Sequence, residues 1–141
     1  MAKKTAAAKA ETGHRVSTKP LLDKLGVKPG HKVTVIRVRD PHFVQQLRRR
    51  VPHVKRPGHG KDLDLVFLGV EKPTDLGLLQ DAEASIARNG AVWVVAPRGV
   101  PELKDTVLIE AGKKAGLVDN KICRFSDTHT AMRFVVPKSR R

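Results

Sequence analysis

Three arginines sit where an α/β protein keeps its chemistry. Arg37 and Arg39 close the apolar run that starts at Val33, and Arg98 follows the run Ala91–Ala96. In an open parallel sheet, ligands bind beyond the carboxyl ends of the strands. A guanidinium offers a planar fork of donors, stays charged, and matches phosphate or carboxylate in a bidentate way. Arg37, Arg39 and Arg98 are therefore candidate anion-binding residues, with Asp40 and Glu71 in the same crevice. The N-terminus of the helix starting at Pro41 would add amide donors, but Asp40 precedes it and competes with any anion. The plain structural alternative is an ion pair of Arg37 with Asp40 or Glu71.

A second group is denser. Arg48, Arg49, Arg50, Lys55, Arg56 and Lys61 fall within fourteen residues that hold no Asp or Glu. Such a cluster suits nucleic-acid phosphates, or else forms a solvated helix face. The chain has no Tyr, and Trp93 and most Phe residues lie inside apolar runs, so stacking on unpaired bases is unsupported. No zinc-finger or RNA-recognition signature occurs. Binding through this cluster is expected to be phosphate-led and salt-sensitive.

Other reactive letters do not assemble. His42, His53 and His59 lack a Cys or a carboxylate pair that would complete a metal site. Ser126, Asp127 and His129 are crowded into one loop, whereas a catalytic triad converges from separate elements. Cys123 is the only cysteine, which excludes an intrachain disulfide, and its alternating surroundings predict a buried, inert thiol. Asp119-Asn120 fits Asx-turn chemistry between a helix and a strand.

The 141 residues suit one domain, and the formal net charge of +14 is unevenly spread. Residues 31–61 carry nine Lys/Arg against Asp40 alone, whereas residues 62–136 carry nine against eleven carboxylates. The expected organisation is a disordered basic arm over 1–17, one α/β domain over 18–137, and a basic tail over 138–141. No apolar run approaches the ~18 residues of a membrane span. The N-terminus lacks the apolar core of a secretory signal, so a cytoplasmic location without a membrane partner is expected.

The elements that must position these residues follow from periodicity. Ser17 or Thr18 caps a short helix bearing Leu21, Leu22 and Leu25, which Gly26 ends. Pro29-Gly30 supplies the centre of a type II turn. Lys32–Val38 reads as a strand apolar on both faces. Asp40-Pro41 starts a helix with Phe43, Val44, Leu47 and Val51 on one stripe, stopped by Pro52. His53–Lys61 is a loop or a very short edge strand. Leu63–Val70 is a second strand, followed by a helix from Thr74-Asp75 to Asn89-Gly90. Ala91–Ala96 is a third strand, and Pro101–Ala115 an amphipathic helix closed by Gly116. Lys121–Phe125 and Met132–Val136 form an antiparallel hairpin. The fold class is a three-layer α/β sandwich with a mainly parallel sheet of five to six strands.

From Asp62 onward the order DLVF, NGAVWVVAPRG, AGL and a final hairpin resembles the second half of a class I S-adenosylmethionine methyltransferase fold, which is Rossmann-like. LLDKLGVKPGHKV (21–33), NGAVWVV (89–95) and GLVDNKICRFSDTHTAMRFV (116–135) resemble a bacterial family of unknown function with a shortened version of that fold. The resemblance implies a fold and transfers no catalytic residue. It also marks two departures. Arg39-Asp40-Pro41-His42 stands where methyltransferases have a glycine-rich turn against the cofactor. The region His53–Lys61 lacks the carboxylate that holds the cofactor's ribose. The reading is a non-catalytic domain that has lost the cofactor, holds none in its place, and contacts an anionic partner such as nucleic acid. The alternative is a small phosphate or nucleotide binder, or a methyltransferase-related enzyme, working at the carboxyl-end crevice. A homodimeric structural subunit is a third possibility.

Overall fold

Each of the five apolar runs becomes a strand. The computed structural model describes residues 20–56 and 60–141, so the expected arm, Ser17, Thr18 and His59 lie outside the described residues, and the N-cap position of the first helix is Pro20 rather than Ser17 or Thr18. The elements are α1 (Leu21–Lys24), β1 (Val33–Ile36), α2 (Pro41–Arg50), β2 (Leu63–Gly69), α3 (Leu79–Ser85), β3 (Ile86–Pro97), α4 (Asp105–Lys114), β4 (Val118–Arg124) and β5 (His129–Val135). They build one sheet in the order β1-β2-β3-β5-β4. β1, β2 and β3 are parallel, with Val35 beside Phe67 and Phe67 beside Trp93. β5 runs antiparallel to both β3 and β4.

Residues of alternate parity along these strands feed two cores. On one face Val33, Leu65, Phe67 and Trp93 meet Leu22 and Leu25 around α1 and Phe43 and Leu47 of α2. On the other, Val66, Leu68, Val92, Val94 and Phe134 meet Leu79 and Ala82 of α3 and Leu108 of α4. Burying each large side chain contributes about 1.5–3 kcal/mol. The Trp93 indole also donates to the Leu25 carbonyl at 3.1 Å, which fixes the end of α1 over the sheet. Phe43 stands edge-on to Phe67, with ring centroids 5.1 Å apart.

Several boundaries differ from the sequence reading. β1 stops at Ile36 because Arg37 turns to φ 61, which ends the extended backbone. The turn before β1 is closed by the His31 N–H on the Lys28 carbonyl at 3.0 Å, but Gly30 is not among the glycines at positive φ, so the turn is not type II. The segment at Thr74-Asp75 starts as a 3-10 turn, Pro73–Leu78, and the helix ends at Ser85. Asn89-Gly90 lies inside β3, where a side chain on Gly90 would stand 2.5 Å from the Leu63 carbonyl oxygen. The helix expected from Pro101 is broken at Lys104, whose ψ of 166 separates a 3-10 turn at Pro101–Leu103 from α4. Gly116, at φ 83, ends α4 as its sequence position predicts. Among the described residues no helix is long and apolar enough to cross a membrane.

Candidate functional site

The carboxyl ends of β1, β2 and β3 enclose a crevice of about 230 Å3, lined by Arg37–Pro41, Gly69, Glu71, Val95, Phe125, Ser126, Thr128 and His129. Its geometry follows from one backbone crossing. The Arg37 carbonyl group lies against Gly69, where a Cβ would stand 2.2 Å from the Arg37 oxygen. Only glycine lets the two strand ends approach so closely, and Arg37 takes a left-handed conformation to make the turn.

The side chains then close on one another. The Arg37 guanidinium donates to Asp75 Oδ1 at 3.1 Å. Asp75 Oδ2 accepts the main-chain N–H groups of Glu71 at 3.0 Å and Lys72 at 3.3 Å. The Glu71 N–H, then that of Lys72, then the Arg37 charge, hold the Asp75 carboxyl below its ordinary range against the opposing effect of burial. The sequence reading paired Arg37 with Asp40 or Glu71, and neither is its partner. Asp40 instead caps α2, accepting from the Phe43 N–H at 3.1 Å, and Glu71 Oε2 meets His129 Nε2 at 2.8 Å.

Arg39 is exposed at the rim of this crevice. Arg98 does not join it. Its main-chain N–H donates to the Thr128 carbonyl at 2.9 Å and its guanidinium to the Asp127 carbonyl, and it lines a separate groove beside α4. Ser126 Oγ accepts from the His129 main-chain N–H at 3.2 Å rather than facing the ring, so these two side chains do not form a nucleophile–base pair. Among the described residues no group of His, Cys, Asp and Glu could hold a metal.

The basic cluster divides. Arg50 donates to Asp23 Oδ1 at 2.6 Å and to the Val27 carbonyl at 3.1 Å, which clamps α2 to α1. Arg48, Arg49, Lys55, Arg56 and Lys61 are exposed. Lys55 forms a single parallel bridge with Thr34, its N–H donating to the Val33 carbonyl at 2.8 Å. Among the described residues that bridge is the whole of the short edge strand. Cys123 is half-buried against the first core, and burial raises its thiol pKa, with Lys24 and Lys121 partly opposing the shift.

Sequence reasoning missed Asp75. The signal was present: Lys72-Pro73-Thr74-Asp75 places a carboxylate at the third residue of a turn, where it can reach back to free N–H groups.

No protein-family model matches the sequence, and no curated protein does. Solved structures do match. A TehB-like SAM-dependent methyltransferase from Corynebacterium glutamicum aligns with a TM-score of 0.52 at 12% identity, over 83% of this chain and 85% of that one. The chain has a class I methyltransferase-like fold. The pyocyanin biosynthetic protein PhzM aligns with a TM-score of 0.61 at 9% identity over 82% of this chain, which spans 53% of PhzM. The ribosomal protein L11 methylase from Lactobacillus delbrueckii subsp. bulgaricus aligns with a TM-score of 0.55 at 10% identity, over 82% of this chain and 74% of that one.

Proposed function

We propose that this chain is a non-catalytic form of the methyltransferase-like fold, which has given up S-adenosylmethionine and contacts a polyanion through its basic residues. The observation that carries the reading is the Arg37–Asp75 lock beneath an Asp40-capped helix. The residues at this end fit the cofactor poorly. The crevice of about 230 Å3 falls below the ~300–1,000 Å3 of ordinary ligand pockets. Asp40 already fills the helix N-terminus with a negative charge. Beyond β1 the chain offers one bridge at Lys55 and no carboxylate from His53 to Arg56 for a ribose. Calorimetric titration with S-adenosylmethionine and its demethylated product is expected to give no saturable heat, and stoichiometric binding of either would overturn the reading.

A second reading rests on the same crevice. The Arg37 side chain is 52% exposed despite its bond to Asp75, so a small anion could still reach it. Scanning fluorimetry with inorganic phosphate and nucleotides tests this. A rise in melting temperature that Arg37→Gln abolishes would favour a small-ligand binder.

A further inference from the structure

Basic residues that are far apart in sequence share one end of the sheet, opposite the crevice. α2, capped by Asp40, starts at Pro41 above the carboxyl ends and runs back, so Arg48 and Arg49 in its last turn lie toward the amino ends of β1 and β2. Lys55 and Arg56 sit beside the first half of β1, and Lys61 lies two residues before β2, with Asp62 between. β5 is antiparallel to β3 and finishes with Val135 beside Ala91, so residues 138–141 also leave the sheet at the amino end. That segment is a folded part of the surface. Lys138–Arg140 form a 3-10 turn, Arg140 bonds Glu83 at 3.4 Å and the Gly116 carbonyl, and the Arg88 guanidinium donates to the Arg140 carbonyl. Lys138 and Arg141 are exposed there, Arg141 with its Nε donating to the Val136 carbonyl at 2.8 Å and the rest of its guanidinium outward.

We infer that this amino-end surface, from Lys55 and Arg56 across to Lys138 and Arg141, binds the sugar-phosphate backbone of double-stranded nucleic acid. The inference rests on the polyanion reading above and assigns it a place and a class of partner. Strands about 4.8 Å apart make β1 to β5 some 15–20 Å across, or about five base pairs at 3.4 Å per step. A polymer of phosphates bridges that span, whereas a single small anion meets only one side of it. The chain has four Phe, one Trp and no Tyr. Phe43, Phe67, Phe125, Phe134 and Trp93 are all buried, so no aromatic side chain is free to stack on an unpaired base. Fixed cations without stacking platforms suit a duplex, whose phosphates are already ordered. Of the two large hydrophobics exposed among the described residues, Val118 and Ile122 on β4, only Val118, paired with Val135, is at this end, and one side chain makes no apolar stripe for a lipid surface.

The test is fluorescence anisotropy with short duplex DNA, duplex RNA and the matching single strands, between about 50 and 200 mM salt. The wild-type chain is expected to bind either duplex more tightly than the single strands. Lys138→Gln/Arg141→Gln and Arg48→Gln/Arg49→Gln are each expected to weaken duplex binding on the order of tenfold and to lower the salt slope by about 2. Lys72→Gln/Lys104→Gln, exposed at the carboxyl end of the sheet, is expected to change neither. Circular dichroism identifies any variant that fails to fold, and Lys55→Gln/Arg56→Gln then replaces it. If Arg48→Gln/Arg49→Gln weakens binding while Lys138→Gln/Arg141→Gln does not, the polyanion reading stands and this surface is wrong. Tighter binding to single strands, or to anionic vesicles instead, overturns the duplex. No binding by the wild type to any polyanion overturns both readings.

Discussion

The two ends of the sheet use arginine in opposite ways. At the carboxyl end Arg37 is held by Asp75, the Arg98 guanidinium is turned onto a main-chain carbonyl, Asp40 serves α2, and Glu71 serves His129. At the amino end residues 48–61 present six Lys/Arg and no carboxylate, and within that run Arg50 alone forms an ion pair among the described residues. A guanidinium becomes a strut where the fold supplies a carboxylate or carbonyl, and it faces outward where the fold supplies none. The end where open parallel sheets bind ligands is thus mostly satisfied internally here, with Arg39 exposed at its rim. The end that usually only starts strands anchors Arg50, Arg88 and Arg140 but leaves Arg48, Arg49, Lys55, Arg56 and Lys61 facing outward.

Breaking the carboxyl end should have the largest effect on stability. Gly69→Ala sets a methyl group 2.2 Å from the Arg37 carbonyl oxygen, and the neighbour that must yield is backbone. A loss of about 3 kcal/mol in urea denaturation is expected. Gly30→Ala, in the turn at the amino end, meets no atom within 4 Å and leaves a backbone at ordinary φ. It should be neutral or stabilising by about 0.5 kcal/mol. Equal losses for the two substitutions would mean that the crossing at Arg37 is not a strained, closely packed point.

Two smaller changes sharpen the contrast. Asp40→Ala removes the cap of α2 and should cost about 1 kcal/mol. Arg50→Ala breaks the bonds to Asp23 and Val27 and should also cost about 1 kcal/mol, with exposure of the pair keeping the effect modest. Its neighbour Arg49→Ala should change stability by less than about 0.5 kcal/mol. Thermal and urea melts of the two variants separate strut from surface charge within one arginine run. An Arg49 variant as unstable as the Arg50 variant would erase that distinction.

How far this was legible in the sequence depends on the range of each interaction. Val33–Ile36, Leu63–Gly69 and the stripe Phe43, Leu47, Val51 were readable because burial imposes a period on nearby residues. Asp40 was readable as a cap because its partner is three residues away. Arg37 found a partner 38 residues away, in a turn whose approach depends on Gly69, and local pattern carries no record of that. The helix boundary at Ser85 was missed for a related reason. Asn89-Gly90 is a good helix stop, but the lack of a side chain at Gly90 is used for contact with Leu63 across the sheet. The segment 138–141 read only as a basic tail because its anchors, Glu83, Arg88 and Gly116, lie elsewhere in the chain.

The smallest expected effect is a pH dependence that belongs to the carboxyl end alone. Asp75 has a pKa in the folded chain below its ordinary value of 3.8, chiefly through the Glu71 N–H bond, with Lys72 and Arg37 adding to it. A carboxyl whose pKa is depressed on folding stabilises the folded state fully above its unfolded pKa. That contribution is lost as pH falls from about 3.8 through the lower, folded value. Asp75→Asn cannot lose a proton, so it lacks the contribution at every pH. The wild type should therefore be more stable than Asp75→Asn at pH 6, and the gap should narrow as pH falls below 3.8. Arg50 and Asp23, at the other end, serve as the comparison, and Arg50→Ala should not abolish this narrowing. Melting temperatures of wild type and variants from pH 6 to about pH 2.5 give the test. A gap between wild type and Asp75→Asn that stays constant over that range would show that the Arg37–Asp75 lock does not hold its carboxylate in the charged form.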